Sequence, residues 1–283
     1  MNVKAMMREF GIRPSKRLGQ HFLIDESPLA AMIEAAELKD DDGVLEIGPG
    51  LGVLTLKLGR LVRKVVAVEK DPALFPVLEK LTGKYKNICL LNEDVLKLDL
   101  EKVAKEHFDG KFKVVANLPY YITSPILMKI VENRHLIEMA VIMVQKEVAE
   151  RLSARPGTRD YGILSIAVQL YADVDLICQV GRSAFLPPPK VESAVVRLKL
   201  RELPSVNIED EKMFFRVVEA AFGERRKTVK NSLKSRLSLP SDEIREALKK
   251  AGIDENRRAE TLKIEEFAAL SREIAKIIIK NIE

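Results

Sequence analysis

The chain has 283 residues, of which 47% are hydrophobic and 31% charged, and its formal net charge is +5. This is enough chain for one large or two modest domains with a buried core. No apolar run approaches the ~20 residues of a membrane helix, residues 1–13 lack a secretory pattern, and the two cysteines have no partner at metal-ligand spacing. Composition therefore indicates a cytoplasmic protein without a membrane span, a disulfide framework or a metal site.

The positive charge is compatible with a polyanionic partner, although the net value alone is weak support. It is spread along the chain, because residues 201–283 contain 18 Lys and Arg against 16 Asp and Glu. A nucleic-acid surface is therefore expected as a local cluster of basic residues.

Short apolar, β-branched runs alternate with helical patterns through the first two-thirds of the chain. This alternation is typical of a parallel sheet covered by helices on both faces. The predicted strands are Gly43–Ile47, Lys64–Val68, Ile88–Leu91, Phe112–Ala116 and Met139–Val144, with helical runs at Val53–Leu61, Pro72–Leu81 and Pro125–Asn133.

Two further strands, Val174–Val180 and Val191–Leu200, are joined by a proline-rich link that is too short for a helical crossover. They should pair antiparallel at one edge, which is similar to the class I methyltransferase sheet. Strand patterns then stop, and helices are expected at Lys212–Phe222, Arg226–Leu237, Ser241–Ala251 and Ile264–Ile282, with Ser241 as a cap. The prediction is an α/β domain over residues 1–201 and a small all-α domain over residues 202–283.

The first candidate site is the glycine-rich turn Glu46–Gly52, directly after a strand and before a helical run. Gly48 and Gly50 allow a close backbone approach to a ligand at the helix N-terminus. Glu69 follows the next strand and Asp94 the third, where they can accept hydrogen bonds from ribose hydroxyls and an adenine amine. Open parallel sheets bind ligands beyond the carboxyl ends of their strands, so an adenosine-containing cofactor is predicted, with NAD and S-adenosylmethionine both open.

The segment Asn117-Leu118-Pro119-Tyr120 after the fourth strand separates these two cofactors. Its pattern is typical of methyltransferases that act on planar amino nitrogens, whose lone pair is delocalised and poorly nucleophilic. The Asn117 side chain and the Leu118 carbonyl can each accept one amine hydrogen, Pro119 fixes the turn, and Tyr120 can stack on the base. Positioning would supply most of the rate. The prediction is adenine N6 methylation by S-adenosylmethionine, with S-adenosylhomocysteine as the product.

Seven segments carry a resemblance that covers essentially the full chain. In order they are Pro14–Leu23, the glycine turn, Val68–Asp71, Glu93–Leu96, Asn117–Ile122, Val144–Leu152 and Phe185–Ser193. Together they resemble the KsgA/RsmA family of small-subunit rRNA adenine N6,N6-dimethyltransferases. The resemblance implies methylation of two adjacent adenosines near the 3′ end of 16S rRNA in a pre-30S-type particle, with a role in small-subunit biogenesis.

The same resemblance implies roles for individual residues. His21, Leu23, Gly48, Glu69, Asp94 and Asn117 would contact the cofactor or its pocket. Position 21 is Asn or His in relatives, and an imidazole replaces only some of the hydrogen bonds of an amide. Phe185 would stack on the flipped adenine opposite Tyr120, the alternative being a core anchor for the antiparallel strands.

The densest basic cluster is Gly223–Lys234, named here the basic segment. In a helix, Arg226, Lys230 and Lys234 would form one stripe beside an apolar stripe of Val229, Leu233 and Leu237. The stripe is either a solvated face or a phosphate-binding surface. The residues assigned to RNA binding are Lys16, Arg17, Arg225, Arg226, Lys227, Lys230 and Lys234.

Three other functions share parts of this pattern. A large-subunit rRNA adenine methyltransferase of the antibiotic-resistance type has the same cofactor core. The sequences of Leu118–Pro125 and Pro187–Ser193 and the predicted helix containing Arg225-Arg226-Lys227 favour the small-subunit family. An intact Asn117–Tyr120 segment argues against a non-catalytic assembly or transcription factor. A DNA adenine methyltransferase is the weakest alternative.

Overall fold

The computed structural model describes residues 3–224 and 226–280, which form two compact units. The first contains the chain up to Ala149 together with Ala172–Glu202, and the second contains Glu150–Tyr171 and the chain from Leu203. The later junction lies between Glu202 and Leu203, whereas the sequence-based boundary was placed at residues 201–202. That boundary does not anticipate that Glu150–Tyr171 belongs with the C-terminal helices, because a helical segment between two strands has the pattern of an ordinary crossover.

A seven-stranded sheet forms the centre of the first unit, in the order β4-β3-β2-β5-β6-β9-β7. The strands β2 to β6 are parallel, whereas β9 runs antiparallel between β6 and the edge strand β7. A separate antiparallel pair joins β1 to β8. The bounds are β1 Phe22–Leu23, β2 Gly43–Ile47, β3 Lys64–Val68, β4 Ile88–Leu91, β5 Phe112–Asn117, β6 Ile137–Gln145, β7 Ala172–Val180, β8 Phe185–Leu186 and β9 Ser193–Leu200.

This topology confirms the predicted α/β class, with a parallel sheet that ends in an antiparallel pair at one edge. The inner strands are buried along nearly their whole length because helices cover both faces of the sheet. The helices up to Leu152 are α1 Val3–Glu9, α2 Ser27–Ala35, α3 Val53–Leu58, α4 Phe75–Thr82, α5 Leu100–His107, α6 Thr123–Glu132 and α7 Lys146–Leu152, with a 3-10 turn at Tyr120–Ile122.

The second unit is helical throughout its described part. Its helices are α8 Ile163–Gln169, α9 Glu211–Phe222, α10 Val229–Leu237, α11 Ser241–Lys250 and α12 Ile264–Lys280. Phe222 stacks on the fully buried Phe267 with ring centroids 5.9 Å apart. The Gln169 amide donates to the carbonyls of Leu152 and Ala154, which ties Glu150–Tyr171 together.

Two helix starts differ from the sequence-based expectation. The Thr228 hydroxyl caps α10 by accepting from the Asn231 N–H at 3.4 Å, so the helix begins at Val229 rather than at Arg226. The helix α11 has Pro240 at the N-cap position, so Ser241 is its first residue and not its cap. Among the described residues, no helix combines the length and the apolar character needed to cross a membrane.

Candidate active site at the carboxyl ends of the strands

One cavity opens beyond the carboxyl ends of β2 to β5, and we call it the strand-end cavity. Its empty space, including the solvent at its open mouth, is about 1100 Å³. It is lined by every position assigned to the cofactor or to catalysis from the sequence, namely His21, Leu23, Gly48, Gly50, Glu69, Asp94, Asn117, Leu118, Pro119 and Tyr120.

These residues meet because parallel neighbouring strands end on the same edge of the sheet. The glycine turn follows β2, Glu69 follows β3, Asp94 follows β4, and Asn117 is the last residue of β5. The strand order β4-β3-β2-β5 therefore places all four groups side by side.

The glycine turn is shaped by the carboxylate of Glu69. Glu69 Oε2 accepts from the Gly50 N–H at 3.2 Å, and Oε1 accepts from the Asp71 N–H at 2.8 Å. Gly50 has φ +59°, and a Cβ there would lie 3.4 Å from the Phe22 ring, so a glycine suits both the backbone and the space. Glu69 is 7% exposed, and burial raises its pKa, although the backbone donors oppose this.

A second carboxylate, Glu46, lies at the buried end of the cavity. It is 1% exposed, and its Oε2 has no hydrogen-bond partner in the part of the chain that the structure describes. Burial raises the pKa of Glu46 to about 8; contact with Thr55 opposes the rise and the charge of Glu69 adds to it. A buried carboxyl with unused bonding capacity is costly, so this end of the cavity is suited to a polar ligand group. Glu46 is a charged residue inside an otherwise apolar strand, and this pattern is its signal in the sequence.

Asp94 is held at the rim by its neighbours. The Lys70 ammonium lies 2.8 Å from Asp94 Oδ2, and the Leu96 N–H donates to Oδ1 at 3.1 Å. The bond to Lys70 is the main cause that lowers the pKa of Asp94, so the carboxylate is charged and able to accept from a ligand amine. Lys70 is a further rim residue that the sequence argument did not single out.

The catalytic segment begins where β5 ends. The Leu118 N–H donates to the Met143 carbonyl at 3.1 Å, which anchors the segment to β6. Within residues 3–224 and 226–280, the Asn117 side chain has no hydrogen-bond partner, although it lines the cavity. Its amide is therefore available to a substrate.

Tyr120 is fixed from two sides. Its hydroxyl lies 2.6 Å from the Ser193 Oγ, and its ring faces His21 with centroids 5.8 Å apart and planes inclined by 25°. His21 Nδ1 lies 2.7 Å from the Pro187 carbonyl, an acceptor, so Nδ1 carries the proton of this bond. The proline-rich link therefore orients His21.

Phe185 does not have the position that a base-stacking role requires. It is 2% exposed and packs in the core with Leu23, Met143 and Val195. The cause is the β1–β8 pairing, in which Phe185 lies opposite Leu23 and both side chains enter the core. In this structure Phe185 therefore has the core-anchor position, and the stacking assignment stays a prediction.

The basic segment differs from the predicted stripe. Arg226 precedes α10, so only Lys230 and Lys234 lie on the basic face of this helix. The apolar residues Val229, Leu233 and Leu237 are buried as predicted. Lys230 is paired with Glu255 at 2.7 Å and Lys227 with Glu224 at 2.5 Å. Arg226 and Lys234 are exposed and have no ion pair among the described residues; Arg225 lies outside them.

In the first unit, Lys16 and Arg17 are exposed in a turn closed by Gln20. The Gln20 N–H donates to the Ser15 carbonyl at 3.2 Å, and its side-chain amide donates to Asp71 at 2.6 Å. Over the described ranges, no group of three or more His, Cys, Asp or Glu side chains is arranged to hold a metal ion.

Residues 12–276 match the family model described as ribosomal RNA adenine dimethylase. The chain belongs to this family. A relative named ribosomal RNA small subunit methyltransferase A, from Alkaliphilus metalliredigens (strain QYMF), is 48% identical over 274 residues, which cover 96% of each chain.

Two solved structures at 30% identity are also similar to this chain. One is a dimethyladenosine transferase from Plasmodium falciparum, with a TM-score of 0.76 over 90% of this chain and 98% of that one. The other is the 23S rRNA methyltransferase ErmE, with a TM-score of 0.68 over 90% and 99%. The fold is thus the Rossmann-like methyltransferase sheet with a helical C-terminal region, and the chain is an rRNA adenine methyltransferase by family.

Proposed function

We propose that this enzyme transfers methyl groups from S-adenosylmethionine to N6 of two adjacent adenosines near the 3′ end of small-subunit (16S) rRNA. The product is N6,N6-dimethyladenosine, and the substrate is a pre-30S-type particle in the cytoplasm. The observation that carries the proposal is the meeting of Asn117–Tyr120 with Glu69 and Asp94 around the strand-end cavity.

The residues around the cavity suit S-adenosylmethionine. Each oxygen of Glu69 accepts one backbone N–H and keeps a second lone pair for a ribose hydroxyl. Asp94 is charged and can accept from the adenine amine, while the unpartnered oxygen of Glu46 suits a polar group of the ligand. When bound, the cofactor supplies an electrophilic methyl group on a sulfonium.

The chain's own contribution is to orient the target amine. The Asn117 amide, which has no protein partner in the described ranges, accepts one N–H, and the Leu118 carbonyl accepts the other. These bonds favour a pyramidal nitrogen with its lone pair directed at the methyl group. Tyr120, held by Ser193, supplies the ring on which the adenine stacks.

The small-subunit target is favoured over the large-subunit one by similarity. The relative named for the small subunit is 48% identical, whereas the 23S rRNA enzyme is 30% identical. We assign phosphate contacts to Lys16, Arg17 and the basic segment, and substrate positioning to residues 202–283. Arg226 and Lys234 support this assignment best because they are exposed and form no ion pair within the described chain.

Methyl transfer to three substrates tests the proposal. Unmodified small-subunit particles, large-subunit rRNA and duplex DNA are each incubated with labelled cofactor, and the nucleosides are analysed by mass spectrometry. We expect N6,N6-dimethyladenosine from the small-subunit particles. Labelling of large-subunit rRNA instead would select the antibiotic-resistance type, and monomethyladenosine alone at long times would contradict dimethylation.

Cofactor binding is tested at Glu69. Glu69→Ala should weaken the affinity for S-adenosylmethionine about 10- to 100-fold in calorimetric titrations, because hydrogen bonds to a charged group are lost. Alanine also leaves the Gly50 and Asp71 N–H groups without an acceptor, so Glu69→Gln, which keeps one oxygen and the volume, is the matched variant. Unchanged affinity in both variants would mean that the cofactor lies elsewhere.

A further inference from the structure

Tyr121 is an exposed aromatic residue directly beside the catalytic segment. It lies in the 3-10 turn Tyr120–Ile122 and is 50% exposed. Of the large apolar side chains that are exposed in the described chain, Tyr121 alone is aromatic and alone lines the strand-end cavity. Exposure by itself means little, since single apolar side chains are common on surfaces, but this ring stands at the mouth of a catalytic cavity.

The ring is supported from one side. A Cβ at Gly19 would lie 3.4 Å from Tyr121 Cδ1, so the ring rests against the backbone of the turn at residues 15–20. Gly19 has φ +58°, and its turn is closed by the Gln20 side chain, which accepts from the Ser15 N–H at 2.8 Å and donates to Asp71. Tyr121 is thus held in place and half open to solvent.

One cation, Lys70, lies near this ring, and Arg17 lies near Lys70. Lys70, held by Asp94 at 2.8 Å, is within electrostatic range of both Tyr121 and Arg17. Lys16 and Arg17 are exposed and have no ion pair among the described residues. An open aromatic ring with cations nearby is the combination that binds single-stranded nucleic acid, since the ring stacks on a base and the cations contact its phosphates.

Tyr120 and Tyr121 differ in which base each ring can stack on. Tyr120 is partly buried, bonded to Ser193 and opposed to His21, so it serves a base inside the cavity. Tyr121 is the next residue, outside on the rim. A strand that delivers one base to Tyr120 brings the adjacent base to this rim.

We propose that Tyr121 is a stacking platform for the nucleotide next to the target adenosine, with Arg17, unpaired among the described residues, contacting the phosphate of that step. This inference rests on the proposed function and adds a residue that recognises the RNA context of the target. Positioning of the neighbour would help to present the two adjacent adenosines in turn.

Kinetics with unmodified small-subunit particles test the platform. Tyr121→Ala should raise KM about 5- to 150-fold, the effect of losing one base–aromatic stack, with a smaller change in kcat. Tyr121→Phe should restore KM because it keeps the ring. Leu176→Ala, which removes a similarly exposed apolar side chain from β7, is the matched control and should leave KM unchanged.

A wild-type KM in Tyr121→Ala overturns the platform. An equal loss of S-adenosylmethionine affinity in calorimetry also overturns it, because the ring would then belong to the cofactor pocket.

A spectroscopic measurement separates this inference from the proposed function. A short RNA hairpin carries 2-aminopurine beside the target adenosine, and its fluorescence is quenched when the base stacks. We expect quenching by the wild-type enzyme and by Tyr121→Phe, and none by Tyr121→Ala at saturating protein. Equal quenching by wild type and Tyr121→Ala overturns the platform even if methylation is intact. Quenching that depends on the ring, without methylation of small-subunit particles, supports the platform and counts against the proposed target alone.

Discussion

The strand-end cavity and the basic segment were both assigned to function from the sequence. They differ in whether their polar groups have partners in the protein. In the cavity, Asn117 and Glu46 have bonding capacity that no described protein group uses. In the basic segment, Lys227 and Lys230 are neutralised by Glu224 and Glu255. Unused bonding capacity in a cavity is costly unless a ligand satisfies it, whereas surface charge is cheap. Unsatisfied polar groups therefore indicate a site more strongly than the density of basic residues does.

The largest expected effect is at Asn117, where the comparison predicts a loss of rate rather than of stability. Asn117→Ala should lower kcat for both methylations about 10²- to 10³-fold, the usual effect of deleting one polar group that orients the transition state. Rates of monomethyl and dimethyl formation, measured by mass spectrometry, check this.

Asn133→Ala is the control for Asn117, because Asn133 bonds to the Lys129 carbonyl at the end of α6 and does not line the cavity. It should keep the wild-type rate. Equal rates for Asn117→Ala and the wild type would show that the free amide has no catalytic role.

The second effect is a pH dependence of stability at Glu46. The pKa of this carboxyl is about 8 in the folded protein against 4.5 for the free group. Between those values the unfolded chain loses the proton while the folded chain keeps it, so the free energy of unfolding falls as pH rises. From pH 5 to pH 8 the fall due to Glu46 should be about 3 kcal/mol.

Glu46→Gln cannot titrate and should remove this component. Urea unfolding at pH 5 and pH 8 should therefore show the variant gaining stability relative to the wild type at the higher pH. Glu34→Gln, at an exposed position on α2, is the matched control for the change from carboxyl to amide. Parallel pH profiles for the wild type and Glu46→Gln would mean that Glu46 is ionised in the fold.

The smallest effect distinguishes free from paired lysines in α10. Lys234→Ala should reduce the slope of log affinity against log salt by about 0.7–0.9, the value for one phosphate contact. Lys230→Ala should change it less, because Lys230 is paired with Glu255. RNA binding measured over a salt series checks both. Equal slopes for Lys234→Ala and the wild type would make this face an ordinary solvated surface.

The sequence by itself determined where the inner strands of the sheet lie and which strand-end residues line the cavity. The strands β2, β3 and β4 were predicted with their observed bounds, since buried parallel strands are continuous apolar runs. The positions of Glu69, Asp94 and Asn117 followed from strand ends, because topology alone brings these ends to one edge. The helices α1, α2, α5, α7 and α8 were not predicted, because their apolar positions are broken by charges or lie close to strand patterns.

Tertiary structure decided which way individual side chains face and which charges are paired. Phe185 is buried because a two-residue pairing with Leu23 across 162 positions turns it inward, and no local pattern records such a contact. Because Thr228 caps α10, Arg226 lies outside this helix. Lys230 forms an ion pair with Glu255, which is 25 residues away in the sequence. In the sequence, Glu46 is one residue of a glycine motif. Its role in the cavity follows only from its burial and from the lack of a hydrogen-bond partner for Oε2 among the described residues. Sequence periodicity fixes local elements, whereas burial and pairing depend on contacts between residues distant in the chain.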